Sequence, residues 1–313
     1  MARHRRHSRG RPVNGVIVLD KPKGLSSNEA LQTVKRLLSA AKGGHTGSLD
    51  PLATGVLPLC FGEATKFSQF LLTSDKRYWT KIKLGIRTAS GDADGEVLEE
   101  RPVIGITQSD VEQMLERFQG ELEQVPSMYS AIKHHGQPLY KLARQGLEVE
   151  RKPRRIVIYE NRLLAWGGDE FDIEIYCSKG TYVRTIAEEI GELLGCGAHV
   201  TELRRLQAGP FTVDDAVTMA ELQNARDDSG LPGVDAYLLP VESTVRDWPE
   251  VRLSDLTAYY IRQGQPVIVP HAPSTGWVRI TELEDSEERF IGVGEVLDDG
   301  RIAPRRLTLN ERA

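Results

Sequence analysis

One stretch concentrates residue types that can do chemistry: Gly44-His45-Thr46-Gly47-Ser48-Leu49-Asp50-Pro51-Leu52-Ala53-Thr54-Gly55. Its twelve positions hold three glycines, three hydroxyls, one histidine, one proline and a single carboxylate, Asp50. Taken alone, an Asp before Pro is an Asx-turn residue whose side chain bonds backbone amides. The setting allows more. Glycines let a backbone come close to a ligand, and Pro51 restricts how Asp50 moves. A carboxylate held rigidly suits nucleophilic or general-base catalysis.

Three further residues carry chemistry with two readings each. Arg184 sits on the flank of an apolar stripe running through 181–194. It either pairs on the surface with Glu188, worth about 0.3–0.5 kcal/mol, or reaches Asp50, holds it ionised and lowers its pKa. Tyr78 opens an alternating run after Ser74-Asp75-Lys76-Arg77. It is a half-buried strand tyrosine, or a platform on which an extruded base stacks with the hydroxyl placed for proton transfer. His45 is a hydrogen-bonded loop histidine, or a ring that fills the gap a flipped base leaves. Metal chemistry has little support, because Cys177, Cys196 and His199 lack a fourth ligand and no HExxH is present. Phosphate-loop and serine-elbow motifs are missing too.

The elements that position these groups follow from pattern. Gly15–Asp20 is a short buried strand, and Ser26 with Glu29 forms a capping box for a helix carrying Ala30, Leu31, Val34, Leu37 and Leu38. Residues 56–61 leave the Asp50 loop as a short apolar run, 78–84 alternate like a half-buried strand, and 88–95 read as a polar loop. Ser109 with Glu112 signals a second capped helix carrying Val111, Met114, Leu115 and Phe118. Phe171, Ile173 and Ile175 mark one face of a strand. The helix that follows turns Val183, Ile186, Ala187, Ile190, Leu193 and Leu194 inward and closes at Gly195. Residues 223–236 read as a loop. Strands mixed irregularly with helices indicate a mixed α+β domain over 14–246. Short apolar runs between glycines over 250–313 indicate a small β-barrel or sandwich.

The 313 residues carry a net charge of -5, unevenly placed. Residues 1–23 hold seven Lys/Arg against Asp20, and residues 1–13 read as a flexible basic arm. The excursion 126–155 holds Lys133, Lys141, Arg144, Arg151, Lys152, Arg154 and Arg155 against two acids, whereas 247–313 is acidic. Basic patches of this kind bind phosphate backbones. No apolar run is long enough for a bilayer, and three scattered cysteines argue for a reduced, cytoplasmic setting.

Seven ordered blocks together resemble the bacterial TruB-type tRNA pseudouridine-55 synthases. They are Asp20-Lys21-Pro22-Lys23-Gly24-Leu25-Ser26-Ser27, the Asp50 loop, Asp75-Lys76-Arg77-Tyr78, Pro126 through Lys133, Cys177 through Thr185, Gly195 through Leu206, and Ala303-Pro304-Arg305-Arg306-Leu307. The resemblance covers 14–313. It implies a mixed-sheet catalytic domain with flanking helices and a small C-terminal PUA-like barrel. It implies isomerisation of one uridine in the TΨC loop of tRNA after the base flips out, by an enzyme needing no cofactor and no metal; nothing in the sequence demands a dimer, and a monomer is expected. By the same resemblance Asp50 is the catalytic acid, Arg184 its partner, and Tyr78 the stacking ring that removes the C5 proton. His45 helps extrude the nucleotide, Lys21, Tyr182 and Leu203 line or support the pocket, and the excursion with Lys133 and Arg144 closes on the T-arm. A non-catalytic RNA-binding relative should have lost Asp50 or Arg184, and a nucleoside glycosidase would need a second catalytic acid.

Overall fold

A computed structural model describes residues 10–284 and 287–309. The basic arm therefore lies mostly outside the described residues. Its last part is docked rather than free: Arg11 is clasped by Asp235, its Nε donates to the Leu38 carbonyl at 2.7 Å, and Val13 is buried.

The first half of the chain runs β1 (Gly15–Lys21), α1 (Ser27–Leu37), β2 (Gly43–His45), β3 (Thr54–Phe61), α2 (Ser68–Thr73) and β4 (Lys76–Leu84). After β5 (Ile86–Thr88) and β6 (Val97–Glu100) come α3 (Gln108–Arg117), β7 (Gly120–Gln124), β8 (Lys133–His134), β9 (Gln137–Pro138) and α4 (Leu139–Ala143). Two long strands, β10 (Arg154–Trp166) and β11 (Glu170–Cys177), lead to α5 (Val183–Leu193) and β12 (Ala198–Ala208). Short strands β13 (Phe211–Thr212) and β14 (Val217–Thr218) precede α6 (Met219–Asp235). The chain ends with β15 (Glu250–Leu253), α7 (Asp255–Arg262), β16 (Gly276–Glu284), β17 (Glu287–Val296) and β18 (Ile302–Leu307).

A ten-stranded mixed sheet organises the larger part, in the order β14-β1-β3-β12-β4-β11-β10-β7, with β2 on β3 and β13 on β12. The apolar run of β1 reflects burial on both faces. Ile17 and Leu19 enter the main core, whereas Val16 and Val18 enter a smaller one behind it. Helix α1 begins as its capping box requires, with Ser26 and Glu29 bonded reciprocally, and buries Ala30, Leu31, Val34 and Leu37. The central trio β3, β12 and β4 matters most for chemistry. The Asp50 loop enters β3, Tyr78 lies on β4, and Leu203 and Arg205 lie on β12.

The structure corrects several expectations. The second capping box is Thr107 with Asp110, because Thr107 is the last extended residue and Ser109 already lies in the helix. Leu193 is 57% exposed and leaves the apolar stripe of α5, whereas Leu194 packs against the main core as expected, with Gly195 beyond it in a left-handed turn. Residues 223–236 belong mostly to α6, a helix broken at Gly230 (φ 67°); its many polar residues face outward while Leu222 and Val234 are buried. The excursion is an ordered hairpin, β8–β9, followed by α4.

The C-terminal sheet has the order β15-β16-β17-β18 and, among the described residues, does not close into the expected barrel. Helix α7 packs against β15, β16 and β18, and the core consists of Val251, Ile261, Val278, Ile280, Ile302 and their neighbours. An aromatic seam joins this part to the larger one. Phe67 meets Phe290 at 5.5 Å, and Phe70 meets Trp248 at 4.9 Å and Trp277 at 5.2 Å. No helix among the described residues is long and apolar enough to cross a membrane.

Candidate active site

The loop carrying Asp50 is fastened at both flanks. Leu49 donates its amide to Ser27 Oγ at 2.7 Å, the Ser27 hydroxyl lies 3.0 Å from the Leu49 carbonyl, and the Gly24 amide donates to the Pro51 carbonyl at 2.7 Å. Leu49, Leu52 and Ala53 are buried beneath it. Where the loop becomes β3, Gly55 has φ 98°, and a Cβ there would lie 2.2 Å from the Arg205 carbonyl. Only glycine lets β3 start this close to β12.

Among the described residues the Asp50 carboxylate accepts no backbone amide, so it is not an Asx turn; it faces Arg184 instead. Arg184 is buried on the first turn of α5, and its Nη2 lies 2.9 Å from Asp50 Oδ2. The same Nη2 donates to the Tyr129 carbonyl at 3.0 Å. Nη1 donates to the Ser90 carbonyl at 2.6 Å and stands 3.4 Å from Asp92 Oδ2. The alternative pairing with Glu188 is not made. Two carboxylates thus share one guanidinium, but their surroundings differ. The Asp50 side chain is 39% exposed, whereas that of Asp92 is 6% exposed and bonded to Ser90 Oγ at 2.5 Å.

Burial outweighs the expected lowering of the Asp50 pKa by Arg184. Burial pushes its carboxyl above the ordinary range. Arg184 opposes the rise, Asp92 adds to it and Lys21 opposes it.

Asp50 and Arg184 open into a cavity of about 250 Å³ that Tyr78, Tyr182, Leu203, Lys76, Ser130 and Arg205 also line. Five of the expected residues therefore meet in one place: Asp50, Tyr78, Arg184, Tyr182 and Leu203. Burial raises the pKa of the Tyr78 hydroxyl, keeping it protonated. Lys76, two residues earlier on the same strand face, donates to the Leu71 carbonyl at 3.1 Å and is lowered to about 8 by burial.

Four expected residues lie elsewhere. Lys21 is fully buried behind the loop, with Nζ bonded to the Pro22 and Leu25 carbonyls at 2.8 and 2.7 Å, and burial lowers it to about 8. His45 ends β2 outside the cavity wall; its Nδ1 is buried without a hydrogen bond, and burial followed by Arg205 lowers its pKa. Lys133 lines a separate basic groove with Arg151, Lys152 and Arg154, and Arg144 lies over Tyr140 at 5.7 Å.

Sequence reading missed Asp92 and Arg205. Nothing in the loop 88–95 distinguishes Asp92 from Asp94. Arg205 did leave a signal: a charge on the same strand face as Leu203, an inward position.

Comparison with known proteins gives a consistent result. Residues 35–183 match the TruB family pseudouridylate synthase N-terminal domain. Residues 184–246 match the tRNA pseudouridylate synthase B C-terminal domain, and 249–308 match the pseudouridine synthase II TruB C-terminal domain. A relative from Coxiella burnetii (strain RSA 493 / Nine Mile phase I) is 56% identical over 297 residues, covering 95% of each chain. One from Serratia proteamaculans is 54% identical over 315 residues, covering 99% of each. Both are named tRNA pseudouridine synthase B. Among solved structures, a chain of a Cbf5-Nop10-Gar1 complex aligns with TM-score 0.71 at 26% identity, over 94% of this chain and 84% of that one. A chain of an H/ACA RNP bound to a substrate RNA containing 2'-deoxyuridine shares the fold, with TM-score 0.72 at 23% identity, over 98% and 92%.

Proposed function

The chain belongs to the TruB family of pseudouridylate synthases and makes pseudouridine in tRNA, and on that premise we propose that it isomerises uridine 55 of the T-arm loop with Asp50 as nucleophile. The observation that carries this reading is the Asp50–Arg184 pair, open to a cavity that Tyr78 also lines.

The isomerisation breaks the N1–C1′ bond, turns the uracil and forms a C5–C1′ bond, and the C5 proton then leaves. Attack at C1′, addition at C6 and elimination toward a glycal each begin with one ionised carboxylate. Arg184 keeps Asp50 charged and aimed despite its burial. Asp92 does not line the cavity, so the site offers one working acid rather than the two a glycosidase needs. A stacked uridine must leave its loop to reach Asp50, at a cost of a few kcal/mol. Stacking on Tyr78 offsets part of that cost, and Tyr78 takes the C5 proton as its phenolate, a form that burial opposes and Arg205 favours. His45, outside the cavity, acts on the RNA the base has left. The excursion 126–155 grips the stem-loop and 250–313 forms a second domain, in a monomer working in the cytoplasm.

The test is incubation with an unmodified T-arm stem-loop followed by chemical detection of pseudouridine. Conversion at position 55 is the expected result. Absence of conversion there overturns the assignment.

A further inference from the structure

Arg205 is among the largest fully buried side chains, at 1% exposure. A buried charge costs several kcal/mol unless an opposite charge meets it. The neighbouring arginines obey that rule, Arg184 facing two carboxylates and Arg204 held by Asp20 at 2.7 Å. The buried Lys21 and Lys76, bonded to carbonyls, are instead lowered to about 8, a relief a guanidinium does not have. Arg205 has neither. Among the described residues no carboxylate lies within ion-pairing reach of it; it donates to carbonyls, from Nε to Val56 at 2.7 Å and from Nη2 to Gly47 at 3.2 Å, and it also reaches the Tyr78 hydroxyl. Those two carbonyls flank the Asp50 loop. The rest of the side chain lines the cavity beside Tyr78, its partner in strand register. Its field contributes to the lowered pKa of His45, Lys21 and Lys76, after burial in each case.

An unpaired cation in the wall of a substrate cavity suits a negative charge that exists only during reaction. The isomerisation creates one. When N1–C1′ breaks, the electron pair leaves with the base, and the charge spreads over N1, O2 and O4 of the ring. We propose that Arg205 is a catalytic residue that binds the detached uracil anion and stabilises it while the ring turns. Its N–H groups donate hydrogen bonds and transfer no proton. C5 returns the electron pair to C1′ and displaces the Asp50 carboxylate that took the place of N1, and the C5 proton then passes to the Tyr78 phenolate. This inference rests on the pseudouridine-forming reading of the same cavity.

The test compares wild type, Arg205→Gln and Arg205→Lys in single turnover at saturating stem-loop RNA, with uridine or 5-fluorouridine at the target position. Fluorine stabilises the ring anion by itself. Arg205→Gln should cleave the glycosidic bond about 100-fold more slowly on uridine, and the defect should shrink to about tenfold on 5-fluorouridine. Arg205→Lys, which keeps the charge, should fall between wild type and Arg205→Gln with the same trend, and it decides the matter if Arg205→Gln does not fold. Equal losses on both RNAs would mark a structural role and overturn the proposal. A loss confined to RNA affinity would assign Arg205 to a phosphate and overturn it as well. Failure of the parent reading shows separately, as a wild type that makes no pseudouridine.

Discussion

At the scale of single residues, the site divides labour between two acids around Arg184. Asp50 is open to the cavity, and Asp92 is sealed behind the guanidinium. Asp50→Asn should lower pseudouridine formation by about 10⁴-fold or more, while the dissociation constant for the stem-loop stays within about threefold. Near-normal turnover would remove Asp50 from the chemistry. Burial favours the neutral carboxyl, so Asp50 holds its proton to higher pH than an ordinary carboxylate. The working form is the ionised one. The rate should therefore fall on acidification at a pH above the ordinary carboxylate value of 3.8. For stability the sign is opposite to that of a well-paired acid. A raised folded pKa means that stability is lost as pH rises from the unfolded value through the folded one. Asp92→Asn removes a like charge that pushes Asp50 upward. Its pH–rate profile should shift to lower pH, while the plateau rate drops about 10–100-fold because Arg184 is held less firmly. An unshifted acid limb would show that the two carboxylates do not interact.

At the scale of elements, α5 is placed by a contact that no side chain could replace. A Cβ on Gly191 would lie 2.2 Å from the Ala198 amide nitrogen and 2.4 Å from the Gly197 carbonyl carbon, backbone atoms at the start of β12. Gly191→Ala should push the helix off the sheet and cost about 1–3 kcal/mol, seen as a lower Tm. Arg184 lies two turns earlier on the same helix, so turnover should fall as well; an unchanged Tm would contradict the contact. Legibility follows the range of each signal. The α1 capping box and the β1 run are local patterns, and they fold as the sequence indicates. In α3 two cap patterns overlap, and the one two residues earlier wins because Thr107 is the residue that stays extended. Helix α6 escaped because a largely solvated helix has loop-like composition, and Gly230 and Pro232 reinforce that impression. The Asp50–Arg184 pairing is 134 positions apart in the chain and came from family resemblance, since spacing left Arg184 undecided. Asp92 and the open C-terminal sheet depend on tertiary contacts that leave no local period.

At the scale of the whole molecule, a chain with net charge -5 must bind a polyanion, so the distribution of charge matters more than its sum. The C-terminal part is acidic, but many of its carboxylates are engaged with its own arginines, as in Glu250–Arg279, Glu282–Arg262 and Glu295–Arg305. In the excursion and the start of β10, Lys133, Lys141, Lys152, Arg154 and Arg155 are exposed, and no ion pair among the described residues holds them. Those cations are free to displace counterions from RNA, and the groove lined by Lys133, Lys152 and Arg154 gathers three of them. If they neutralise about four phosphates, log affinity should fall with log salt at a slope of about -3 to -4. A double variant, Lys133→Ala with Arg154→Ala, should reduce that slope by about two and weaken binding at low salt. Its single-turnover rate at saturating RNA should stay near wild type, because neither side chain lines the Asp50 cavity. Titrations of labelled stem-loop across a salt series read both effects. A flat salt response in the wild type would mean that the excursion does not grip the phosphate backbone, and a double variant with an undiminished slope would move the grip elsewhere on the surface.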